Sequence, residues 1–328
     1  MKVLLLGGYS RFLNDLRRLV KVDCEFIAID SINPDDVIPY IRDVDMVFGS
    51  RLTKEMIDEA KNLKLIQVFG AGVREKLLEL VKDRDILIAN THGNAVAVAE
   101  HAISLILALA KNIIPYDKSF RQGYWMDEKK DFFNTQLKGK TLGIIGLGHV
   151  GKLIVKLGKA LGMRVIAIKR TKDEKLKEEL GLDFLGDKSD LEYILKNSDF
   201  LVIAVPRTKE TKGLIGLKEL KLMKRSAYLI NISRGDIVDE KALYTALRAG
   251  IIRGAGLDVW YIYPKKAGEK TYPSKYPFHE LRNVIMTPHI AWKTKESQEE
   301  QLKQVAENIN RLALGKPLIN IINKELGY

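Results

Sequence analysis

Cysteine is almost missing from the 328-residue chain: Cys24 stands alone, which excludes an internal disulfide and a cluster of thiolate metal ligands. A reducing, cytoplasmic compartment is the expectation that follows. Long apolar runs are missing too. The longest, Ala102 to Ala110, falls well short of the roughly 20 residues that span a bilayer. The opening Lys2-Val3-Leu4-Leu5-Leu6-Gly7-Gly8 meets glycine too soon for a signal peptide, so neither export nor a membrane partner is expected. No tract is dominated by Gly, Pro, Ser or Gln, which argues against long disordered tails. A recognition-helix signature and a basic stripe interleaved with aromatics are both lacking, so nucleic acid is not an expected partner.

What is present is an ordinary globular composition, 46% apolar and 29% charged, in a length that predicts two domains at about 150 residues each. The balance of charge is unusual. Lys and Arg number 54 against 42 Asp and Glu, a net +12, which suits attraction to anionic small molecules or a solvated lysine-rich surface. The abundance of Lys and Glu also points toward a thermophile.

Short Val- and Ile-rich runs without polar alternation predict strands covered on both faces, at Val3 to Leu6, Phe26 to Ile29, Met46 to Phe48, Leu65 to Phe69 and Ile86 to Ala89. A long helix is predicted over Val96 to Ile113, followed by a charged stretch around Trp125. A second series of strands follows at Thr141 to Ile145, Arg164 to Ile168, Phe200 to Ala204, Tyr228 to Ile232, Gly254 to Leu257 and Asn283 to Met286. A last helix runs from Lys295 to Leu314, stopped by Gly315-Lys316-Pro317. The alternation is that of doubly wound parallel sheets, an α/β fold.

Gly7-Gly8 and Gly70-Ala71-Gly72 follow strands but lack a third glycine, and read as strand-to-helix turns. Gly146-Leu147-Gly148-His149-Val150-Gly151 follows a strand and opens a helix near His149, the setting in which GxGxxG holds a dinucleotide pyrophosphate. At the end of the next strand, where an acid would accept from the ribose 2'-hydroxyl, the chain reads Ile168-Lys169-Arg170-Thr171. Two cations there predict NADP(H) in preference to NAD(H). Of five histidines, His101 is expected in the core and His149 within the glycine loop, while His289 directly ends a buried strand, where proton transfer or a strand-end hydrogen bond is the choice. Arg234 and Asp258 end two further strands. Arg234 suits either an anionic ligand or an ion pair with Asp236 or Asp239.

These residues together resemble the D-isomer-specific 2-hydroxyacid dehydrogenase family: Gly146 to Gly151, Asn231 to Gly235, Gly256 to Val259 and Thr287 to Ile290 are similar to its signatures, in its order, and Asn94 to Glu100 is similar to the start of its interdomain helix. The resemblance implies two flavodoxin/Rossmann-like domains, a cofactor domain of residues 95–292 inserted in a substrate domain of residues 1–94 plus 293–328. It implies a homodimer built largely on the cofactor domain. Arg234 would hold the carboxylate of a small 2-keto or 2-hydroxy acid, the backbone of Ala71 and Gly72 would hold it too, and His289 would exchange the hydroxyl proton. Cofactor contacts are implied at Gly146, Gly148, His149, Val150, Gly151, Lys169, Arg170, Thr171, Val205, Pro206, Ile232, Ser233, Asp258 and His289, with Asp258 at the nicotinamide end.

One position departs from the family. Its usual glutamate, five residues after the strand-end aspartate, is Tyr263 here, with Pro264 keeping the register. A phenol can hydrogen-bond His289 but cannot supply the charge that raises its pKa, so His289 is expected to titrate near its ordinary value. The expected function is reduction of glyoxylate or hydroxypyruvate with NADPH. Two other functions fit the same residues: a dinucleotide-sensing regulator of this fold, and a formate- or phosphite-type dehydrogenase.

Overall fold

A strand buried on both faces must place apolar side chains in both directions, because successive residues point to opposite sides. A computed structural model describes residues 1–125, 133–266 and 268–328, and within these the apolar runs become twelve strands. The chain divides into two compact units, Met1–Asn94 with Lys293–Tyr328, and Ala95–Trp292.

The first unit holds β1 (Lys2–Leu6), β2 (Glu25–Ile29), β3 (Met46–Phe48), β4 (Leu65–Gln67) and β5 (Leu87–Ala89), all parallel, in the order β2-β1-β3-β4-β5. Val3, Leu5, Met46 and Phe48 face a layer that contains Phe12 and, from the C-terminal helix Lys295–Ala313, Leu302, Val305, Ala306 and Ile309. Leu4, Leu6, Val47, Ile66 and Ile88 face the other way, onto Val37, Ile41, Met56 and Ile57. The C-terminal helix is thus half of the core that its distant partner strands need.

The second unit holds β6 (Thr141–Ile145), β7 (Arg164–Ile168), β8 (Phe184–Gly186), β9 (Phe200–Ile203), β10 (Tyr228–Asn231), β11 (Gly254–Leu257) and β12 (Val284–Met286). Their order, β12-β11-β10-β9-β6-β7-β8, is again wholly parallel. Connections leave β6 toward β7 on one side, while β9 beside it leads to β10 on the other. This reversal opens the crevice in which such sheets bind ligands, beyond the carboxyl ends of β6 and β9. The helix Ala95–Ala110 covers one face through Val98, Ala102, Leu105 and Ile106. Gly256 in β11 permits its close approach, since a Cβ there would lie 3.0 Å from that of Leu105.

Three expectations are corrected. The helix expected over Val96 to Ile113 is Ala95–Ala110; Asn112 turns left-handed at φ 51°, and a second helix, Ile113–Phe120, follows. Pro115 explains the break, because in a continuous helix its ring would meet the carbonyl of Lys111. The edge strand β8 was not expected, being only three residues that pair with β7 alone. His101 is not in the core: it retains a 20% exposed side chain and a polar partner. Part of the charged stretch near Trp125, residues 126–132, lies outside the described residues.

Because Ile309 is fully buried where the C-terminal helix meets the first sheet, Ile309→Ala is expected to cost about 2–5 kcal/mol, while the exposed Leu314→Ala stays within about 0.5 kcal/mol. Chemical denaturation of the two variants measures the difference.

Candidate active site

The crevice of the second unit begins with the glycine turn after β6. Gly146 adopts φ +104° and comes so near β9 that a Cβ would stand 2.6 Å from the Ala204 carbonyl. A Cβ on Gly151 would stand 2.1 Å from the Gly146 carbonyl, so the helix His149–Ala160 can start this close to its strand only with glycine there. Gly148 caps that helix and faces open space. The cradle fits the pyrophosphate of a dinucleotide, whose negative charge suits a helix N-terminus lined with backbone N–H groups.

Neighbouring segments frame this turn. The hydroxyl of Ser233 donates to the Val205 carbonyl, tying the segment after β10 to the Val205-Pro206 segment after β9, and the Asn231 side chain accepts from Ser233 N at 3.1 Å. Ile232 is buried in the apolar layer beneath. Beyond β7, Lys169 is not the free cation its sequence suggests: Asp173 comes within 3.4 Å of its ammonium while capping the helix Glu174–Glu179 through Leu176 N. Arg170 and Thr171 are exposed at the same strand end.

Arg234 and His289 occupy the rim beyond β10 and β12. Asp236 pairs instead with Arg207 at 2.7 Å, and Asp239 caps the helix Glu240–Arg248 by accepting from Ala242 N. Neither structural ion pair considered for Arg234 forms; its guanidinium donates to the Ser233 carbonyl at 2.7 Å and, among the described residues, meets no carboxylate within ion-pair distance. Burial lowers its pKa from the usual guanidinium value.

His289 has φ +57°, an unusual backbone for a residue with a side chain. Asp258 holds it there. This fully buried carboxylate accepts from Thr287 Oγ1 at 2.6 Å, Ile290 N at 3.0 Å and Ala291 N at 3.0 Å. Trp292 Nε1 donates to the His289 carbonyl and Trp260 Nε1 to that of Thr287. His101 Nε2 lies 3.0 Å from Thr287 Oγ1 and 3.5 Å from Asp258. Asp258, expected to meet the nicotinamide end, turns its charge inward, onto the segment that carries His289. The contributions of His101 and Trp260 have no local sequence signal, since each acts across the fold, whereas Trp292 acts on the carbonyl three residues before it.

Tyr263 lies beside His289, ring centroids 5.6 Å apart, but its hydroxyl accepts from Trp260 N at 3.1 Å rather than bonding the imidazole. The expectation of an ordinary imidazole pKa is corrected in consequence. Burial first, then the positive charge of Arg234, lowers the His289 pKa, and Asp258 opposes them only in part.

In the first unit, Ala71 and Gly72 are exposed on the turn after β4. Thr91 Oγ1 accepts from Gly70 N at 2.7 Å and Asn90 Nδ2 donates to the Ala71 carbonyl at 2.7 Å.

Removing the Asp258 carboxylate would take the acceptor from the Thr287 hydroxyl and from the N–H groups of Ile290 and Ala291, the last of them buried, and release the left-handed turn. Asp258→Ala is expected to destabilise the protein by about 2–5 kcal/mol, read by urea titration, and Asp258→Asn by less.

Residues 103–291 match the family model for the D-isomer specific 2-hydroxyacid dehydrogenase, NAD binding domain. A glyoxylate reductase of Thermococcus litoralis is 38% identical over 295 residues, covering 87% of this chain and 86% of its own. A D-3-phosphoglycerate dehydrogenase of Archaeoglobus fulgidus is 40% identical over 276 residues, covering 84% of this chain, which spans half of that longer protein. Among solved structures, an NADPH-dependent glyoxylate/hydroxypyruvate reductase from Sinorhizobium meliloti, bound to NADP and malonate, superposes with a TM-score of 0.80 at 26% identity, over 98% of this chain and 97% of its own. The chain belongs to the D-isomer specific 2-hydroxyacid dehydrogenase family of oxidoreductases.

Proposed function

We propose that this protein is an NADP(H)-dependent reductase of small 2-keto acids of the glyoxylate or hydroxypyruvate type. The observation that carries the reading is Arg234, drawn out of water, without a carboxylate partner among the described residues, at the same rim as His289. A guanidinium so placed suits a bidentate substrate carboxylate. The similarity to glyoxylate reductases supports the substrate class.

In this reading the glycine turn from Gly146 to Gly151 holds the pyrophosphate, with His149 and Val150 opening its helix and Val205, Pro206, Ile232 and Ser233 lining the crevice. The bound nicotinamide supplies the hydride. Arg234 orients the keto acid and stabilises the negative charge that grows on its 2-oxygen, and His289 delivers the proton to that oxygen, giving the 2-hydroxy acid. Asp258 keeps His289 in place. Ala71 and Gly72 would donate backbone N–H groups to a substrate carboxylate. Lys169, Arg170 and Thr171 would meet the 2'-phosphate, with Lys169 sharing its ammonium with Asp173. A cytoplasmic homodimer completes the reading: a second copy would cover Ile113, Ile114 and Phe120, all exposed on one short helix. No single helix among the described residues is long and apolar enough to cross a membrane.

Steady-state rates with glyoxylate, hydroxypyruvate, pyruvate, formate and phosphite, each with the appropriate form of NADP or NAD, test the proposal. NADPH with glyoxylate or hydroxypyruvate is expected to lead, and Arg170→Asp is expected to reduce the NADPH-over-NADH preference by about tenfold or more, the loss of one charge-assisted contact. Turnover of formate or phosphite alone would replace the reading, and no turnover of any substrate would favour the regulator.

The pH profile of keto-acid reduction follows from His289. Its lowered pKa means the proton-donating form is lost as pH rises through a value below about 6.5, so kcat/KM is expected to fall across that range. Tyr263→Glu is expected to move this limb upward by restoring a negative neighbour. A native limb well above pH 7 would contradict the assignment.

A further inference from the structure

The turn Gly70-Ala71-Gly72 is braced from behind by an amide network whose members differ in one respect. Gln67 and Asn308 are buried and complete: Gln67 Nε2 reaches the carbonyls of Val68, Ala89 and Asn90, its Oε1 accepts from Asn308 Nδ2 at 2.8 Å, and Asn308 Oδ1 accepts from Ile319 N. Asn90 and Gln301, 2% and 1% exposed, are buried and incomplete, with Asn90 Oδ1 and Gln301 Nε2 lacking any partner. Both brace the turn, one directly and one through Thr91. Asn90 Nδ2 holds the Ala71 carbonyl, and Gln301 Oε1 accepts at 3.0 Å from Thr91 Oγ1, which itself accepts from Gly70 N. A buried amide with one end unpaired is unfavourable, so the bonds made by its other end must be what keeps it in place.

The direction of these bonds shows what they accomplish. In a planar trans peptide the C=O and the following N–H point opposite ways. The Gly70 carbonyl is turned to Thr91 N at 3.4 Å and the Ala71 carbonyl to Asn90, so the next N–H groups, those of Ala71 and Gly72, are turned away from the network. Two successive N–H groups aimed together form a nest for an anion.

We propose that Asn90 and Gln301 are positioning residues, which aim the Ala71 and Gly72 N–H groups at the carboxylate of the substrate. The inference rests on the keto-acid reductase reading. Gln301 acts from the C-terminal helix, through Thr91, and Asn90 acts directly on the Ala71 carbonyl. Neither touches the substrate.

Asn90→Ala and Gln301→Leu are compared with Asn308→Leu, which removes a buried amide from the same network without touching the turn. The two turn variants are expected to raise KM for glyoxylate by about tenfold or more, with kcat changed less than about threefold and NADPH affinity by fluorescence titration unchanged. Gln301→Glu keeps the acceptor for Thr91 and is expected to hold KM within about threefold of the parent. Asn308→Leu is expected to lower the melting temperature and leave KM unchanged. Hydrogen exchange over residues 69–73, which needs no activity, is expected to speed up in Gln301→Leu relative to Asn308→Leu. Unchanged KM in both turn variants, an equal rise in Asn308→Leu, or unaltered exchange at the turn would each overturn the proposal. Absence of turnover in the parent enzyme would instead overturn the reductase reading, with exchange still deciding the role of Gln301.

Discussion

The carboxylate of Asp258 is closed to water, and its charge is met by the Thr287 hydroxyl and the backbone N–H groups of Ile290 and Ala291. Those bonds hold the backbone of His289 in a left-handed conformation worth about 1–3 kcal/mol of strain, tolerable only where the surroundings over-determine it. Two indoles add to the restraint by binding the carbonyls of Thr287 and His289. The imidazole is therefore placed by a buried charge at the end of one strand acting on a turn at the end of its neighbour, β11 upon β12. A side chain held this way needs little reorganisation to act.

The same economy governs the cofactor cradle. The order of the second sheet puts β6 against β9, and the two glycines Gly146 and Gly151 remove the side chains that would keep turn, strand and helix apart. Backbone N–H groups and a helix terminus then face the crevice without any charged side chain being spent on the pyrophosphate. At the strand end of β7, Asp173 returns from the following helix to partner Lys169.

Tyr263 shows how one residue alters a site electrostatically while leaving its backbone intact. A phenol whose hydroxyl is occupied by Trp260 N offers the imidazole a ring face but no negative charge. Burial first and Arg234 second then dominate His289, and its proton becomes easier to lose. The large positive net charge belongs mostly to solvated surface, where it favours the approach of anionic cofactors and acids.

Much was legible in the sequence because it depends on local periodicity. Unalternated Val and Ile runs specify strands buried on both faces, GxGxxG after a strand specifies a turn that only glycine can make, and strand-end Arg234, Asp258 and His289 stand at a rim that parallel sheets share. The helix break before Pro115 carried a local signal in the proline itself, whereas the three-residue β8 and the partial exposure of His101 escaped because each depends on neighbours distant in sequence. So did the inward turn of Asp258 and the amides of Asn90 and Gln301 behind the Ala71–Gly72 turn. Sequence by itself determined which residue types reach the rim. Only the tertiary structure decided which of them face it, because direction is set by hydrogen bonds from segments that meet only after the sheets have formed.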